Sequence, residues 1–307
     1  MDCDHQEEKV EQASQFNARM AHRLGIAFSS IYLVFLLIFC MRFGVYPRLE
    51  FFIVSLLIYA VHRKWSRRFI RDWAPFTALF MAYEAMYGIA DNISAVVHIN
   101  ELISAEFLLF GAIPTLMLQQ LFRNSLFDYV GAFFYSLHFI IPTLFGFMLW
   151  KNSPKEYWKY SLAFLLCSYS ALITFMIYPS APPWFGLKAS RILIQIDHEI
   201  GVPVYATIFD YIQPNPFAAF PSLHAAYPWL ISIYAIKIKR TKALPILLIP
   251  VGVWFSAVYL GEHYIVDLLG GIAYSTCAFI FVEKLLPRIS LGNFRSITCH
   301  LCPHCLL

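Results

Sequence analysis

Long apolar blocks alternate along the chain with short charged or proline-rich stretches. Eight of the blocks, at roughly 24–41, 46–62, 73–90, 129–150, 158–178, 221–237, 243–260 and 263–285, are long enough to span or nearly span a bilayer. A ninth, from about 102 to 118, contains Glu106 and Pro114 and is expected to be interfacial or re-entrant. The pattern predicts an all-α integral membrane protein of about eight transmembrane helices. The expected divisions are an acidic cytoplasmic N-terminus (1–23), two transmembrane helices and a basic loop (24–72), a larger membrane core (73–287) and a Cys-rich cytoplasmic tail (288–307).

Composition supports a lipid environment, because 59% of the 307 residues are hydrophobic and only 14% are charged. That leaves too little polar surface to clothe a water-soluble globule. The net charge of +4 comes from basic residues in short clusters between apolar blocks, a pattern that excludes nucleic-acid binding as the main function. With the N-terminus in the cytoplasm, every Lys and Arg except Arg42, Arg48, Arg123, Lys188 and Arg191 falls on the inner side. The positive-inside rule therefore predicts that both termini are cytoplasmic and that the 179–220 loop and the 260–262 turn share the outer or lumenal face. Asn92-Ile93-Ser94 falls on that face too, too close to a span for ready glycosylation. The absence of an internal repeat argues against a transporter.

The candidate chemistry lies on that outer face. Phe220-Pro221-Ser222-Leu223-His224 opens one apolar block, and the proline is expected in the first helical turn, where free amides make a seat for an anion. In Gly261-Glu262-His263-Tyr264-Ile265-Val266-Asp267, the histidine and aspartate stand four apart, which on a helix puts them on one face. A carboxylate there accepts the proton of one imidazole nitrogen and leaves the other as a lone pair. The residues imply a two-step transfer in which His263 attacks phosphorus while His224 first protonates the leaving alkoxide and then deprotonates water or an acceptor alcohol. No metal or other cofactor is expected, since the outer face has no obvious carboxylate cluster. The tail cysteines Cys299, Cys302 and Cys305 have metal-like spacing but no second ligand pair at a distance, and are read as a solvated or acylated tail.

Pro221-Ser222-Leu223-His224 and His263-x-x-x-Asp267 resemble the second and third motifs of the type 2 phosphatidic acid phosphatase superfamily. More narrowly, Ala181-Pro182-Pro183-Trp184-Phe185 and Pro221 to Tyr227, with His263 to Gly271, resemble the inositol phosphorylceramide synthase branch. The resemblance, over roughly residues 70–285, implies a six-helix phosphatase-like catalytic core, the third to the eighth span, with the first two transmembrane helices as an N-terminal addition, and a lipid headgroup phosphotransferase with a phosphohistidine intermediate, acting on a membrane lipid and an acceptor alcohol. Its competitors are a phosphatase of lipid phosphates or polyprenyl diphosphates, with water as acceptor, and a transporter or binding protein that keeps only the scaffold.

The phosphatase pattern has an arginine six residues before the nucleophilic histidine, where this chain has Ala257; its lysine and arginine-proline pair are also missing. A phosphate in a partly dry site needs positive charge. Lys188 and Arg191, the basic residues of the long outer loop, are candidate phosphate clamps. Pro182, Pro183, Ser222 and Tyr264 complete the candidate substrate-binding set. Glu84 and His138, ionisable groups within apolar blocks, either line an acceptor pocket or bond each other.

Overall fold

A computed structural model of the protein describes residues 49–87, 96–187, 189–211 and 215–286. The chain is all-α over these residues. In order, the helices are α1 (Leu49–His62), α2 (Ser66–Tyr87), α3 (Asn100–Phe110), α4 (Pro114–Phe122), α5 (Ser125–Asn152), α6 (Pro154–Ile177) and the short α7 (Pro183–Gly186). They are followed by α8 (Ile192–Ile200), α9 (Val204–Tyr211), α10 (Leu223–Lys239), a 3-10 segment (Arg240–Leu247), α11 (Leu248–Tyr259), α12 (Ile265–Ile280) and a π-helical turn (Phe281–Leu285).

About eight spans were expected, but among the described residues four helical stretches are long and apolar enough to cross a membrane: Ser125–Asn152, Pro154–Ile177, Leu223–Tyr259 and Ile265–Leu285. A fifth is added if α3 and α4, bent by 71° at their junction, count as one span. The arrangement of six core helices plus two fails for identifiable reasons. Over the described residues helix α1 covers 14 positions, about 21 Å of helix against a hydrocarbon core of about 30 Å. Helix α2 carries Arg67, Arg68, Arg71, Asp72 and Glu84. The blocks at 221–237 and 243–260 form one uninterrupted helical stretch that turns back on itself through the 3-10 segment, so that Trp254 Nε1 donates to the Ala225 carbonyl at 3.3 Å. The expected first span, the acidic N-terminus, the Asn92 sequon and the Cys-rich tail lie outside the described residues.

The bend between α3 and α4 has a local cause. Gly111 ends α3 at φ +65°, a left-handed conformation that glycine adopts without a Cβ clash, and its amide donates to Phe107. Pro114 then opens α4, where its missing amide costs nothing.

Large apolar side chains such as Leu108, Leu121, Phe133, Ile173, Leu248 and Val251 are exposed on the outside, the surface a lipid phase requires. The interior is aromatic: Trp73, Trp150, Tyr157, Phe164, Tyr227 and Tyr234 belong to one buried cluster. At one end of the bundle the charges are paired. Lys159 and Lys237 both reach Glu283, at 3.0 and 2.7 Å, and Lys237 also meets Glu156. Asp72 accepts from Trp150 Nε1 at 2.9 Å and from Arg71 Nε at 2.8 Å. Burial alone would raise the Asp72 carboxyl, but the Arg71 and Trp150 hydrogen bonds and the charge of Arg68 hold it below the usual carboxylate range. His224, the second residue of α10, lies about 20 Å along that helix from Lys237.

Candidate active site

The starts of α10 and α12 are fastened to each other through the main chain. Ser222 caps α10, its side chain accepting from the Ala225 amide, while its own amide donates to the Asp267 carbonyl at 2.9 Å. Gly271 makes this possible: a Cβ there would sit 2.0 Å from the Ser222 carbonyl oxygen. Before α12, Gly261 turns at φ +87°, and the amides of Glu262 and His263 both donate to the Ala257 carbonyl. Three extended segments complete the frame. Ser180 bridges to His98 on one side and Ala218 on the other, and its hydroxyl accepts from the Phe220 amide at 2.9 Å.

This frame brings two rings together from separate helices. His224 Nδ1 and His263 Nε2 are 3.2 Å apart, and both residues are buried. His263 Nδ1 donates to the Ala219 carbonyl at 3.1 Å, with Asp267 Oδ2 at 3.4 Å. A carbonyl can only accept, so the proton of a neutral His263 resides on Nδ1 and Nε2 carries the lone pair. That lone pair accepts from His224 Nδ1, leaving His224 Nε2 buried and without a hydrogen-bond partner.

Two local expectations are corrected. Helix α12 begins at Ile265, so His263 precedes it; Asp267 reaches it through the capping turn, in which Asp267 Oδ2 accepts from the Tyr264 amide at 2.8 Å. Pro221 likewise precedes the Ser222 cap instead of lying in the first helical turn. The closest acceptor to His263 Nδ1 is a backbone carbonyl, which no side-chain motif announces.

A cavity of about 400 Å³ opens beside the two rings. Of the candidates from sequence, His224, His263, Pro182 and Arg191 line it. Asp267 lies behind His263. Ser222 is occupied as a helix cap, Pro183 is buried at the start of α7, and Tyr264 packs in a satellite cluster with Leu102 and Ala219. Lys188 lies outside the described residues. Arg191 grips Glu262 with two hydrogen bonds, at 2.9 and 3.2 Å, and its guanidinium lies over the rings of Trp184 and Phe209. Glu84 and His138 both line the cavity.

Several wall residues went unread in the sequence. Tyr135 stacks on His224 at 4.1 Å, and the His138 ring, singled out in the sequence but not beside His224, also lies 4.1 Å from it. Their i, i+3 spacing on α5 was the available signal. Glu262 could have been suspected as the carboxylate adjoining His263. Asn215, between two prolines, signals only a turn. Among the described residues, Trp184 Nε1, Asn215 Nδ2 and His138 Nδ1 are buried without a hydrogen-bond partner. No group of three or more His, Cys, Asp or Glu residues among the described residues could hold a metal ion.

Comparison with known proteins places these elements in a family. Residues 100–281, over half of the chain, match the profile of the PAP2 superfamily. A phosphoinositol dihydroceramide synthase of Bacteroides thetaiotaomicron is 33% identical over 177 residues, covering 53% of this chain and 57% of that protein. The inositol phosphorylceramide synthase catalytic subunit of Schizosaccharomyces pombe is 26% identical over 173 residues, covering 51% of this chain and 40% of its own. Inositol phosphorylceramide synthase of Candida albicans is 28% identical over 172 residues, covering 52% and 36%. The chain thus spans about half the length, or less, of the curated relatives it matches. No solved structure matches it.

Proposed function

The chain belongs to the PAP2 superfamily, and on that premise we propose that it is a lipid phosphotransferase that moves a phosphoryl headgroup from a phospholipid to an acceptor alcohol through a phosphohistidine on His263. The observation that carries this reading is the 3.2 Å approach of two imidazoles from separate helices, one with its Nδ1 proton held by the Ala219 carbonyl and Asp267. A phosphodiester entering between the rings displaces the His224 hydrogen bond from the His263 lone pair. His263 Nε2 then attacks phosphorus, and the P–O bond to the lipid alcohol breaks. His224, protonated as the anionic headgroup enters, gives its Nδ1 proton to the departing oxygen and is left neutral. In the second half, His224 takes the proton of the acceptor hydroxyl, whose oxygen attacks phosphorus as the P–N bond breaks.

Arg191 is the proposed phosphate clamp, with its charge shared between Glu262 and the headgroup. Pro182 and Trp184 wall the headgroup end of the cavity. The names of these relatives suggest an inositol phosphoryl headgroup and a ceramide acceptor. The proposed orientation puts both termini in the cytoplasm and this site on the outer or lumenal face. It is supported by the basic cluster of Arg68, Arg71, Lys159 and Lys237 at the other end of the bundle.

The test uses the purified chain in mixed micelles with a phospholipid labelled at phosphorus, with and without a long-chain alcohol acceptor and free inositol. Transfer yields a new labelled lipid only when acceptor is present, and acid-labile label on the His263 peptide marks the intermediate. Release of the labelled headgroup as a water-soluble phosphate ester with no acceptor dependence would replace transfer by hydrolysis, and label found on no histidine would remove the covalent step.

A further inference from the structure

The bent pair α3–α4 is the ninth apolar block of the sequence, and the function just proposed makes no use of it. Neither Glu106 nor Gln119, one on each limb, lines the cavity. Both nevertheless end on the segment that carries His263. Glu106 is fully buried, and its Oε1 accepts from the Val266 amide at 2.9 Å, in the first turn of α12. Gln119 Nε2 donates to the carbonyl of Tyr259, the last residue of α11, at 2.9 Å. The same Nε2 donates to the Ser190 carbonyl at 2.8 Å, and Gln119 Oε1 accepts from the Ser190 amide at 3.0 Å.

These contacts meet the backbone groups a helix leaves unpaired at its ends: an amide at the start of α12 and a carbonyl at the end of α11. A carboxylate at a helix N-terminus is also favoured by the helix dipole. Only residues 260–265 separate the two grips, and His263 sits among them. Ser190, the third point held, adjoins Arg191.

We propose that Glu106 and Gln119 are positioning residues: the two limbs of the bent pair form a bracket that fixes the His263 turn from both sides, and the Gln119 limb also fixes Arg191. The proposal rests on the phosphotransfer reading for its kinetic consequences, but its geometric consequence can be measured without any turnover. A turn held only by its own hydrogen bonds would let the His263 ring leave the 3.2 Å register with His224. A small displacement of a reacting group has a large effect on rate.

The experiment compares the full chain with Glu106→Ala, Glu106→Gln and Gln119→Leu in two assays. The first is the rate at which diethyl pyrocarbonate carbethoxylates His263, followed by mass spectrometry with His98 as internal control. The second is steady-state transfer from a labelled phospholipid. Glu106→Ala is expected to raise His263 modification about fivefold or more and to lower kcat roughly 10–100-fold with KM within about twofold, the scale seen when the group orienting a functional histidine is removed. Glu106→Gln keeps an acceptor oxygen for Val266 and is expected to restore both values to within about twofold of the wild type. Gln119→Leu is expected to lower kcat and raise KM together, because it also frees Ser190 beside Arg191.

Combining Glu106→Ala with Asp267→Asn should cost less than the product of the separate losses, since both act through one turn. A purely structural role would give independent losses. Unchanged His263 reactivity in both Glu106→Ala and Gln119→Leu overturns the bracket, whatever the activity. Gln119→Leu removes one grip without touching a buried carboxylate, so it carries the test even if Glu106→Ala does not accumulate. Raised reactivity in a chain that transfers no phosphoryl group upholds the bracket and overturns the phosphotransfer reading instead. Normal transfer by variants whose reactivity is unchanged does the reverse.

Discussion

At the basic end of the bundle, Lys159 and Lys237 converge on Glu283, and Asp72 is held by Arg71 and Trp150. At the histidine end, about 20 Å away along α10, His224 Nε2, His138 Nδ1, Asp267 Oδ1, Trp184 Nε1 and Asn215 Nδ2 are buried with no hydrogen-bond partner among the described residues. Each unmet buried group costs on the order of 1–3 kcal/mol. Buried atoms without a partner occur at the basic end too, as at Trp73 Nε1, but His224, His138, Trp184 and Asn215 all line one cavity and Trp73 does not. The contrast separates polar groups that bind helices together from polar groups kept available for a ligand.

Substitutions at the two ends should therefore differ in kind, and the largest effect belongs to His263. His263→Ala is expected to reduce transfer by more than about 10⁴-fold, as loss of a covalent nucleophile does, with little change in melting temperature. Residual turnover within tenfold of the wild type would remove the histidine end from the chemistry. His224→Ala comes next, with an expected loss of about 10²–10⁴-fold, the range of a general acid–base. A lipid carrying a good phenolate leaving group should recover part of that loss in the first half-reaction, since such a leaving group needs no proton. Failure of that recovery would assign His224 another task.

Asp267→Asn should cost less, roughly 10–100-fold in kcat. The Ala219 carbonyl still holds the Nδ1 proton of His263 in that variant, so the tautomer survives. A loss as large as that of His263→Ala would mean that the carboxylate, not the carbonyl, sets the ring. The smallest effect is expected at the basic end. Lys237→Ala should leave kcat and KM within about twofold and shift stability by no more than about 1 kcal/mol, the usual scale of a partly exposed ion pair. A large kinetic effect there would erase the distinction between the two ends.

What could be read in the sequence was local. Pro221 to His224 and His263 to Asp267 are each short local stretches, and the two histidines they single out lie 3.2 Å apart. The contacts that finish the site are remote or lack a side chain. Arg191 meets Glu262 across 71 residues, Glu106 meets Val266 across 160, and the Ala219 carbonyl belongs to the backbone. The membrane count failed because block length was taken as span length. A helical stretch that doubles back, a helix of 14 described residues and a helix bearing five charges all look like spans when hydropathy is read in windows. Asn215 was missed because a polar residue flanked by prolines carries a turn signal and no other.

The hydrogen bond from the Ser222 amide to the Asp267 carbonyl ties the starts of α10 and α12 together through the main chain. No side-chain substitution elsewhere in the wall deletes it. The loop carrying Pro182, Trp184 and Arg191 is itself fastened to the His263 turn, by the Trp184 amide on the Gly261 carbonyl and by Arg191 on Glu262, so a change in that loop is transmitted to one ring of the pair and not to the other.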